Sequence, residues 1–262
     1  MTSTKEVKIV ERIADETALA AWLHQLQACG APHGECLLTA PFAARMPDAR
    51  LRDCMDLMLH RTQRRAFQLR RQRDGTLHLG VTLTLRDGIR LARAAELGLP
   101  LSAREQSSLA IAKEMAREAL ALPDETARFR HLFDRLARHA QYENYRHGDA
   151  ARASVVSACG ALVDGYANCQ GFADAYWLLC TLAGLTADYQ TGHAGHGTHL
   201  WNLIRLGESW YAADVSRASR LLRTEGEAAM ARAFARDEPA ACALGLRRSP
   251  WMALHGNPAL MG

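Results

Sequence analysis

Residues 169–184 read CQGFADAYWLLCTLAG, and their apolar side chains have the spacing of one helix. The residues on the apolar side are Phe172, Tyr176, Leu179 and Leu182. Gly184 is typical of the residue that ends a helix. Because the helix begins at Cys169, the thiol lies beside unpaired backbone N–H groups and the positive end of the helix dipole, which favour the thiolate. Cys169 is therefore a candidate nucleophile, although a small residue packed at a helix start has the same pattern.

Three strands are predicted after this helix, over 187–191, 198–206 and 209–215, with a tight turn at residues 207 and 208 between the last two. In an antiparallel hairpin with that turn, residues whose numbers sum to about 415 lie opposite each other. Since 199 plus 214 is 413, we expect His199 and Asp214 across the ladder within one or two residues of register. A carboxylate in that position can orient an imidazole.

Three sequence motifs around these residues resemble those of the transglutaminase-like superfamily. In the order that the family has them, the motifs are 168–173 (NCQGFA), 199–202 (HLWN) and 210–216 (WYAADVS). Phe172 stands where tyrosine is common, Leu200 where alanine is common and Ser216 where threonine is common, and none of these differences removes a reactive atom. The resemblance is best over roughly residues 105 to 217.

This resemblance implies an α+β, papain-like fold in which the nucleophile helix packs on an antiparallel sheet. It also implies a catalytic triad with Cys169 as the nucleophile, His199 as the base and Asp214 as the acid that orients the imidazole. The backbone N–H of Cys169 is the natural first donor to an oxyanion. Candidates for a second donor or for substrate binding are Tyr142, Tyr166, Asn168, Trp201 and His196. A tryptophan beside a strand pair is also typical of a core.

The resemblance, which is to bacterial members of the family, implies a cysteine-dependent hydrolase that cleaves an amide or peptide bond through a thioester. The same residues also fit an acyltransferase, which transfers the acyl group to an amine, or a glutamine deamidase. A third interpretation is a non-catalytic module that binds peptides, and the full set of Cys169, His199 and Asp214 speaks against it. We expect a peptide or protein substrate, no cofactor, no nucleic acid and no membrane as partner.

The histidines at 193, 196 and 199 form an HxxHxxH run, which raises the alternative of a metal site. On a strand or loop these spacings alternate between faces, and no acidic residue completes the set. The glycines beside these histidines instead indicate a flexible loop over the cleft. We therefore expect no metal, and substrate contact by His193 or His196 remains an alternative to a solvated loop.

The composition of the 262-residue chain limits the other classes of protein. Apolar residues make up 48% of the chain, too many for disorder, and no apolar run approaches the ~20 residues of a membrane-spanning helix. The N-terminal sequence lacks the pattern of a secretory signal, so a cytoplasmic location is expected. Seven cysteines without a CxxC pair argue against a disulfide scaffold or zinc finger. The net charge is +4, and the arginine-rich run over 61–73 is interpreted as a solvated basic face.

Three segments are expected along the chain. Residues 1–100 form an α+β extension, 101–220 the transglutaminase-like core and 221–262 a helical segment packed on the core. The extension is predicted to contain helices over 15–27 and from residue 47, a loop around Pro32, Gly34 and Pro41, and a hairpin of strands at 66–71 and 76–85.

Inside the predicted core, two helices precede the nucleophile helix. Ser102 and Glu105 have the spacing of a capping box, and Pro123 starts the second helix. A glycine- and alanine-rich stretch over 159–168 is predicted to be a loop that leads to Cys169.

Overall fold

The computed structural model describes residues 11–143, 154–195 and 197–248. This part of the chain forms two compact units, one within residues 11–85 and the other within residues 86–248. Across the described ranges, no helix is both long enough and apolar enough to cross a membrane. Each unit combines helices with a mainly antiparallel sheet around its own apolar core, which confirms the predicted α+β class.

A four-stranded sheet forms the first unit, in the order β1-β2-β4-β3. Its strands are β1 (Glu11–Ile13), β2 (His33–Leu38), β3 (Thr62–Arg71) and β4 (Leu77–Leu85), and its helices are α1 (Glu16–Cys29), α2 (Ala40–Arg45) and α3 (Asp48–Met58). The β1–β2 pair is parallel and the other two pairs are antiparallel. Trp22 of α1 and Leu51 of α3 pack with alternate residues of β2 and β4 into one core.

The predicted first helix and the predicted hairpin are both confirmed. Asp15 begins α1 because its Oδ1 accepts the N–H of Ala18 at 2.8 Å. Gly30 ends the helix in the left-handed region, with φ of 66°. The turn between β3 and β4 contains Gly75 at φ of 83°, a conformation that costs glycine little.

The loop predicted around Pro32, Gly34 and Pro41 is wrong over residues 33–38, which form β2. Both prolines lie outside this strand, and its residues alternate between partly exposed and buried. The strand is central in its sheet, paired with β1 on one side and β4 on the other. Backbone pairing on both edges stabilises this short segment, although Pro32, Gly34 and Pro41 lie in or beside it.

The second unit opens with three helices. They are α4 (Asp87–Leu97), α5 (Ala103–Leu120) and α6 (Glu125–His139). The predicted capping box is confirmed, because the Ser102 side chain accepts the N–H of Glu105 and the Glu105 carboxylate accepts the N–H of Ser102 at 2.7 Å. Asp124 caps α6 in the same way through the N–H of Ala127.

This unit begins at Arg86, before the boundary predicted near residue 100. Leu91 of α4 belongs to the same core as Phe172 and Tyr176. The N–H of Gly88, at the start of α4, also donates to the carboxylate of Asp174 at 3.1 Å. Contacts of α4 with residues more than eighty positions later place this helix in the second unit.

A four-stranded antiparallel sheet lies behind the nucleophile helix, in the order β10-β7-β8-β9. Its strands are β7 (Ala187–Ala194), β8 (Gly197–Leu206), β9 (Ser209–Ala213) and β10 (Leu246–Arg248), and α7 (Cys169–Leu182) packs against β7 and β8. The helix predicted to start at Cys169 is confirmed. The pairs Asn202–Ala213 and Leu203–Ala212 both sum to 415, so the hairpin also has the predicted register.

Two of the predictions around the sheet are wrong. Residues 160–164, predicted as loop, form a π-helix, where small residues such as Gly160 let backbone groups pack closely. It is followed by β6 (Tyr166–Ala167), which is parallel to β5 (Gln141–Tyr142). The C-terminal segment is helical only in part, because β10 adds a strand to the edge of β7. The helices after β9 are α8 (Val215–Glu225), α9 (Glu227–Met230), the short 3₁₀ turn Ala231–Ala233 and α10 (Glu238–Ala243).

Candidate active site

Cys169 is the first residue of α7, and its neighbour Asn168 caps the helix. The Oδ1 atom of Asn168 accepts the N–H groups of Gln170 at 2.9 Å and Gly171 at 3.3 Å. Asn168 was predicted to contact the substrate. In the structure it is buried, and its side-chain oxygen accepts these two amides and caps the helix. The cap fixes the orientation of the first turn, and with it the direction of the Cys169 backbone N–H.

Gly171 lets another segment of the chain approach the first turn of α7. A Cβ atom at this position would lie 2.6 Å from the carbonyl oxygen of Val155 and 2.8 Å from that of Ser157. The N–H of Asn168 donates to the same Val155 carbonyl at 2.9 Å. The glycine of the NCQGFA motif is therefore required by close backbone packing beside the nucleophile.

The other described cysteine side chains have different environments. Cys36, Cys159 and Cys180 are buried, and burial raises the pKa of each of these thiols, for Cys36 to about 12. Cys29 and Cys242 are exposed. Among the described side chains, Cys169 is the cysteine that combines partial exposure with a helix start and a neighbouring histidine.

His199 and Asp214 form a direct pair, with the imidazole Nε2 atom 2.8 Å from the carboxylate Oδ2. Asp214 was predicted on β9, but it lies just after that strand and caps helix α8. Its Oδ1 accepts the hydroxyl of Ser216 at 2.7 Å and the N–H of Arg217 at 3.0 Å. Both carboxylate oxygens are therefore held, and Nε2 is the ring nitrogen of His199 that faces the carboxylate.

The charges of His199 and Asp214 stabilise each other, although both side chains are largely buried. Burial by itself lowers the pKa of His199, but the Asp214 carboxylate and the Cys169 thiol outweigh it and raise the pKa to about 10. Burial would raise the pKa of Asp214, yet the imidazolium and the hydrogen bonds from Arg217 and Ser216 hold that pKa below its ordinary value. The imidazole is therefore positively charged at neutral pH and is paired with a negatively charged carboxylate.

The indole ring of Trp201 stacks on the imidazole ring of His199. The two rings are stacked with centroids 5.8 Å apart and an interplanar angle of 25°. Trp201 is only 2% exposed, so its indole supports His199 from within the protein rather than lining an open cleft. His199 lies opposite Gly192 on β7, and the indole reaches over this glycine.

The remaining candidates are spread around the site. Tyr166 is half-buried on β6, three residues before the nucleophile, and Tyr142 lies on the neighbouring β5. His193 is exposed on β7. His196 lies outside the described residues. Within the ranges that the structure describes, no group of three histidine, cysteine, aspartate or glutamate side chains could hold a metal ion.

Asp174 is a buried charged residue of the nucleophile helix that the sequence motifs did not single out. It lies on α7 and is fully buried, and its carboxylate accepts the N–H groups of Gly88 and Ala158 at 3.1 and 3.2 Å and the hydroxyl of Tyr189 at 2.9 Å. These bonds join the nucleophile helix to α4, to the segment before the π-helix and to β7. A signal was present, because Asp174 is the only charged residue of 169–184.

Replacing Asp174 by asparagine is expected to lower the free energy of unfolding by about 1–3 kcal/mol, because the new amide N–H₂ faces buried N–H donors. Burial raises the pKa of Asp174 to about 6, from an ordinary value of 3.8. The folded chain thus binds this proton more tightly than the unfolded chain, and the contribution of Asp174 to stability falls as pH rises from about 4 to about 6. Urea denaturation across this pH range measures both effects.

Tyr189→Phe is the control for this prediction, because it removes one donor to Asp174 and leaves the charge in place. It is expected to cost less than Asp174→Asn and to keep a pH dependence that is moved to higher pH, because the Tyr189 hydroxyl lowers the pKa of Asp174. An Asp174→Asn variant as stable as the wild type at every pH would contradict the role of this carboxylate.

Residues 111–215 match the core model of the transglutaminase-like superfamily, a range that contains Cys169, His199 and Asp214. Among curated proteins, none matches this chain.

Solved structures with some similarity have low identity to this chain. One is a TGase, with 14% identity, a TM-score of 0.39 and coverage of 70% of this chain and 51% of that protein. Another is a candidate cysteine protease from Cytophaga hutchinsonii, with 15% identity, a TM-score of 0.36 and coverage of 60% and 66%. A candidate protease from Parabacteroides distasonis has 9% identity, a TM-score of 0.34 and coverage of 70% and 43%. The chain thus spans about half the length of the TGase.

Proposed function

We propose that this chain, which belongs to the transglutaminase-like superfamily through residues 111–215, is a cysteine-dependent hydrolase of amide bonds. In this proposal Cys169 is the nucleophile, His199 the general base and acid, and Asp214 the group that orients the imidazole. The substrate is a peptide or protein, and Tyr166 is a candidate for its binding because it is partly exposed beside the nucleophile.

One observation carries the proposal, the 2.8 Å contact between His199 Nε2 and Asp214 Oδ2 next to a cysteine that begins a helix. Residues from α7, β8 and the start of α8 come together here: the carboxylate contacts the imidazole directly, and the Cys169 thiol interacts with the same imidazole. Capping α8 requires the Asp214 carboxylate but not a buried imidazole paired with it, and burying that second charge costs free energy, which supports a catalytic role over peptide binding alone.

The first step forms the thioester. The Cys169 thiolate attacks the carbonyl carbon of the amide, and the carbonyl electron pair moves to oxygen, where the backbone N–H of Cys169 can donate to it. The oxyanion then collapses, the C–N bond breaks, and the leaving nitrogen takes the proton from His199 Nδ1. Amine and a neutral imidazole result, with the acyl group on sulfur.

The second step returns the free enzyme. Neutral His199 takes a proton from water at Nδ1 while the water oxygen attacks the thioester carbon. The C–S bond breaks, so that a carboxylic acid leaves and the Cys169 thiolate again faces an imidazolium. Asp214 keeps its charge throughout and stabilises the imidazolium in the free enzyme and in both proton transfers.

Replacing Cys169 by alanine is expected to abolish turnover and the rapid labelling of the chain by iodoacetamide at about pH 6, where ordinary thiols are protonated. The residue to replace as a control is Cys242, an exposed cysteine, and Cys242→Ala should keep the rapid phase. Mass spectrometry of the protein at successive times measures the rate of labelling. Equal labelling of the wild type and Cys169→Ala would refute the proposed nucleophile.

A peptide library incubated with and without a primary amine then identifies the reaction. Hydrolysis releases shorter peptides, deamidation changes only the mass of a glutamine residue, and transfer adds the amine. We expect shorter peptides with the wild type and none with Cys169→Ala. Amine adducts or deamidated glutamine without cleavage would overturn the hydrolase and assign the same three residues to transfer or deamidation.

A further inference from the structure

Residues 226–248 run along the sheet after helix α8, and we name this segment the C-terminal strap. The strap lies outside residues 111–215, which match the family. It contains α9, the 3₁₀ turn, α10 and β10. Its described contacts reach the chain on both sides of the His199–Asp214 pair.

The first contact is with Asp214. The backbone N–H of Asp214 donates to the carbonyl of Ala233 in the strap at 3.0 Å. Two residues earlier, Ala212 exchanges both of its backbone hydrogen bonds with Arg236, at 2.7 and 2.9 Å. The strap therefore fixes the backbone where β9 ends and α8 begins, which is the point from which the Asp214 carboxylate extends.

The second contact is on the side of the histidine. In the sheet, Arg248 of β10 lies opposite Gly192, and Gly192 lies opposite His199. A Cβ atom at Gly192 would lie 2.0 Å from the carbonyl oxygen of Arg247 and 2.8 Å from the Cη2 atom of Trp201. Glycine at this position lets the strap and the indole that stacks on His199 both lie against β7.

A third contact ties the two sides together. The guanidinium of Arg217 donates to the carbonyl of Leu244, just before β10. Arg217 also donates its backbone N–H to the Asp214 carboxylate. Leu246 of β10 is 2% exposed, so the strand is anchored in the protein rather than lying loosely on its edge.

We infer that the C-terminal strap is a positioning element of the active site, which holds Asp214 from one side and His199, through Gly192 and Trp201, from the other. This inference rests on the proposed function. The 2.8 Å contact between imidazole and carboxylate depends on the relative position of β8 and the end of β9, and the strap is bonded to the neighbours of both. Displacements of about 1 Å in such a pair lower rates about 10²-fold.

Gly192→Ala tests the inference, with Gly197→Ala as the matched control, since a Cβ atom at Gly197 meets nothing within 4 Å. The two measurements are the rate of Cys169 alkylation at about pH 6 and the midpoint of the His199 titration by NMR. We expect Gly192→Ala to slow alkylation by about 10-fold or more and to move the midpoint to lower pH. Gly197→Ala should match the wild type.

Arg217→Met is the second variant, which serves if Gly192→Ala does not fold, because it loosens the strap at Leu244 and keeps the backbone bond to Asp214. It should shift the same two readouts in the same direction, and Arg217→Lys, which keeps a donor, should restore them. Folded variants with wild-type alkylation and titration would overturn the strap alone. A wild-type Cys169 that is not alkylated rapidly would instead overturn the proposed function.

Discussion

Asp214→Asn is expected to lower kcat/KM by about 10³- to 10⁴-fold while leaving the fold intact. Asparagine keeps the size of the side chain and an oxygen that caps α8 through Arg217, but it loses the charge that stabilises the imidazolium. Its amide N–H₂ would then donate to His199 Nε2, which moves the ring proton to Nδ1. In that tautomer Nδ1 cannot accept the thiol proton of Cys169.

The same variant tests whether the charge of Asp214 raises the pKa of His199. Because the Asp214 charge is the main influence that raises the pKa of His199 to about 10, its removal should move the titration midpoint to lower pH. NMR titration of labelled histidine measures this midpoint. Asp124→Asn is the control, since Asp124 also caps a helix through its side chain but lies on the surface and outside the C-terminal strap. A midpoint that stays near pH 10 in Asp214→Asn would contradict the pairing.

Trp201→Ala is expected to lower the free energy of unfolding by about 3–5 kcal/mol, because it removes a buried indole and leaves a cavity beside the sheet. The loss of the stacked ring should also let His199 rotate away from Asp214, so that Cys169 alkylation at about pH 6 slows. Trp201→Phe keeps an aromatic ring and should recover a large part of both losses. Urea denaturation and alkylation rates measure the two effects separately.

Trp177 provides the control for Trp201. It also stacks on a buried aromatic ring, that of Tyr189, with centroids 5.6 Å apart, but it lies on α7 away from the imidazole. Trp177→Ala should therefore lower stability and keep the alkylation rate. If Trp201→Ala lowers stability but alkylates as rapidly as the wild type, the indole is only a core residue and does not hold His199.

Local sequence predicted the parts of the site that depend on neighbours in the chain. The helix start at Cys169 follows from apolar spacing, and the register that brings His199 near Asp214 follows from a two-residue turn. The local pattern predicted that Asp214 lies on the strand, whereas the strand ends at Ala213 and Asp214 caps the next helix. A short sequence pattern does not distinguish the last residue of a strand from the cap of the next helix, so the capping role of Asp214 became visible only with the Arg217 and Ser216 bonds.

The predictions that failed depended on distant partners. Strand β2 forms because β1 and β4 pair with its two edges. Strand β10 forms because it pairs with the edge of β7. The packing of α4 in the second unit similarly needs Asp174 as a partner, far away in the chain. Pairing of this kind supplies hydrogen bonds that no short window of sequence contains.

The sequence by itself determined the nucleophile helix, the hairpin with its histidine and the order of the three motifs, because each depends on periodicity, caps and turns within a few residues. Only the tertiary structure decided that Asp214 is held on both oxygens, that Trp201 supports the imidazole and that Gly192 admits the C-terminal strap. Those features are contacts between segments far apart in the chain. Their free energy comes from burial and backbone pairing, which arise when the folded chain brings these segments together.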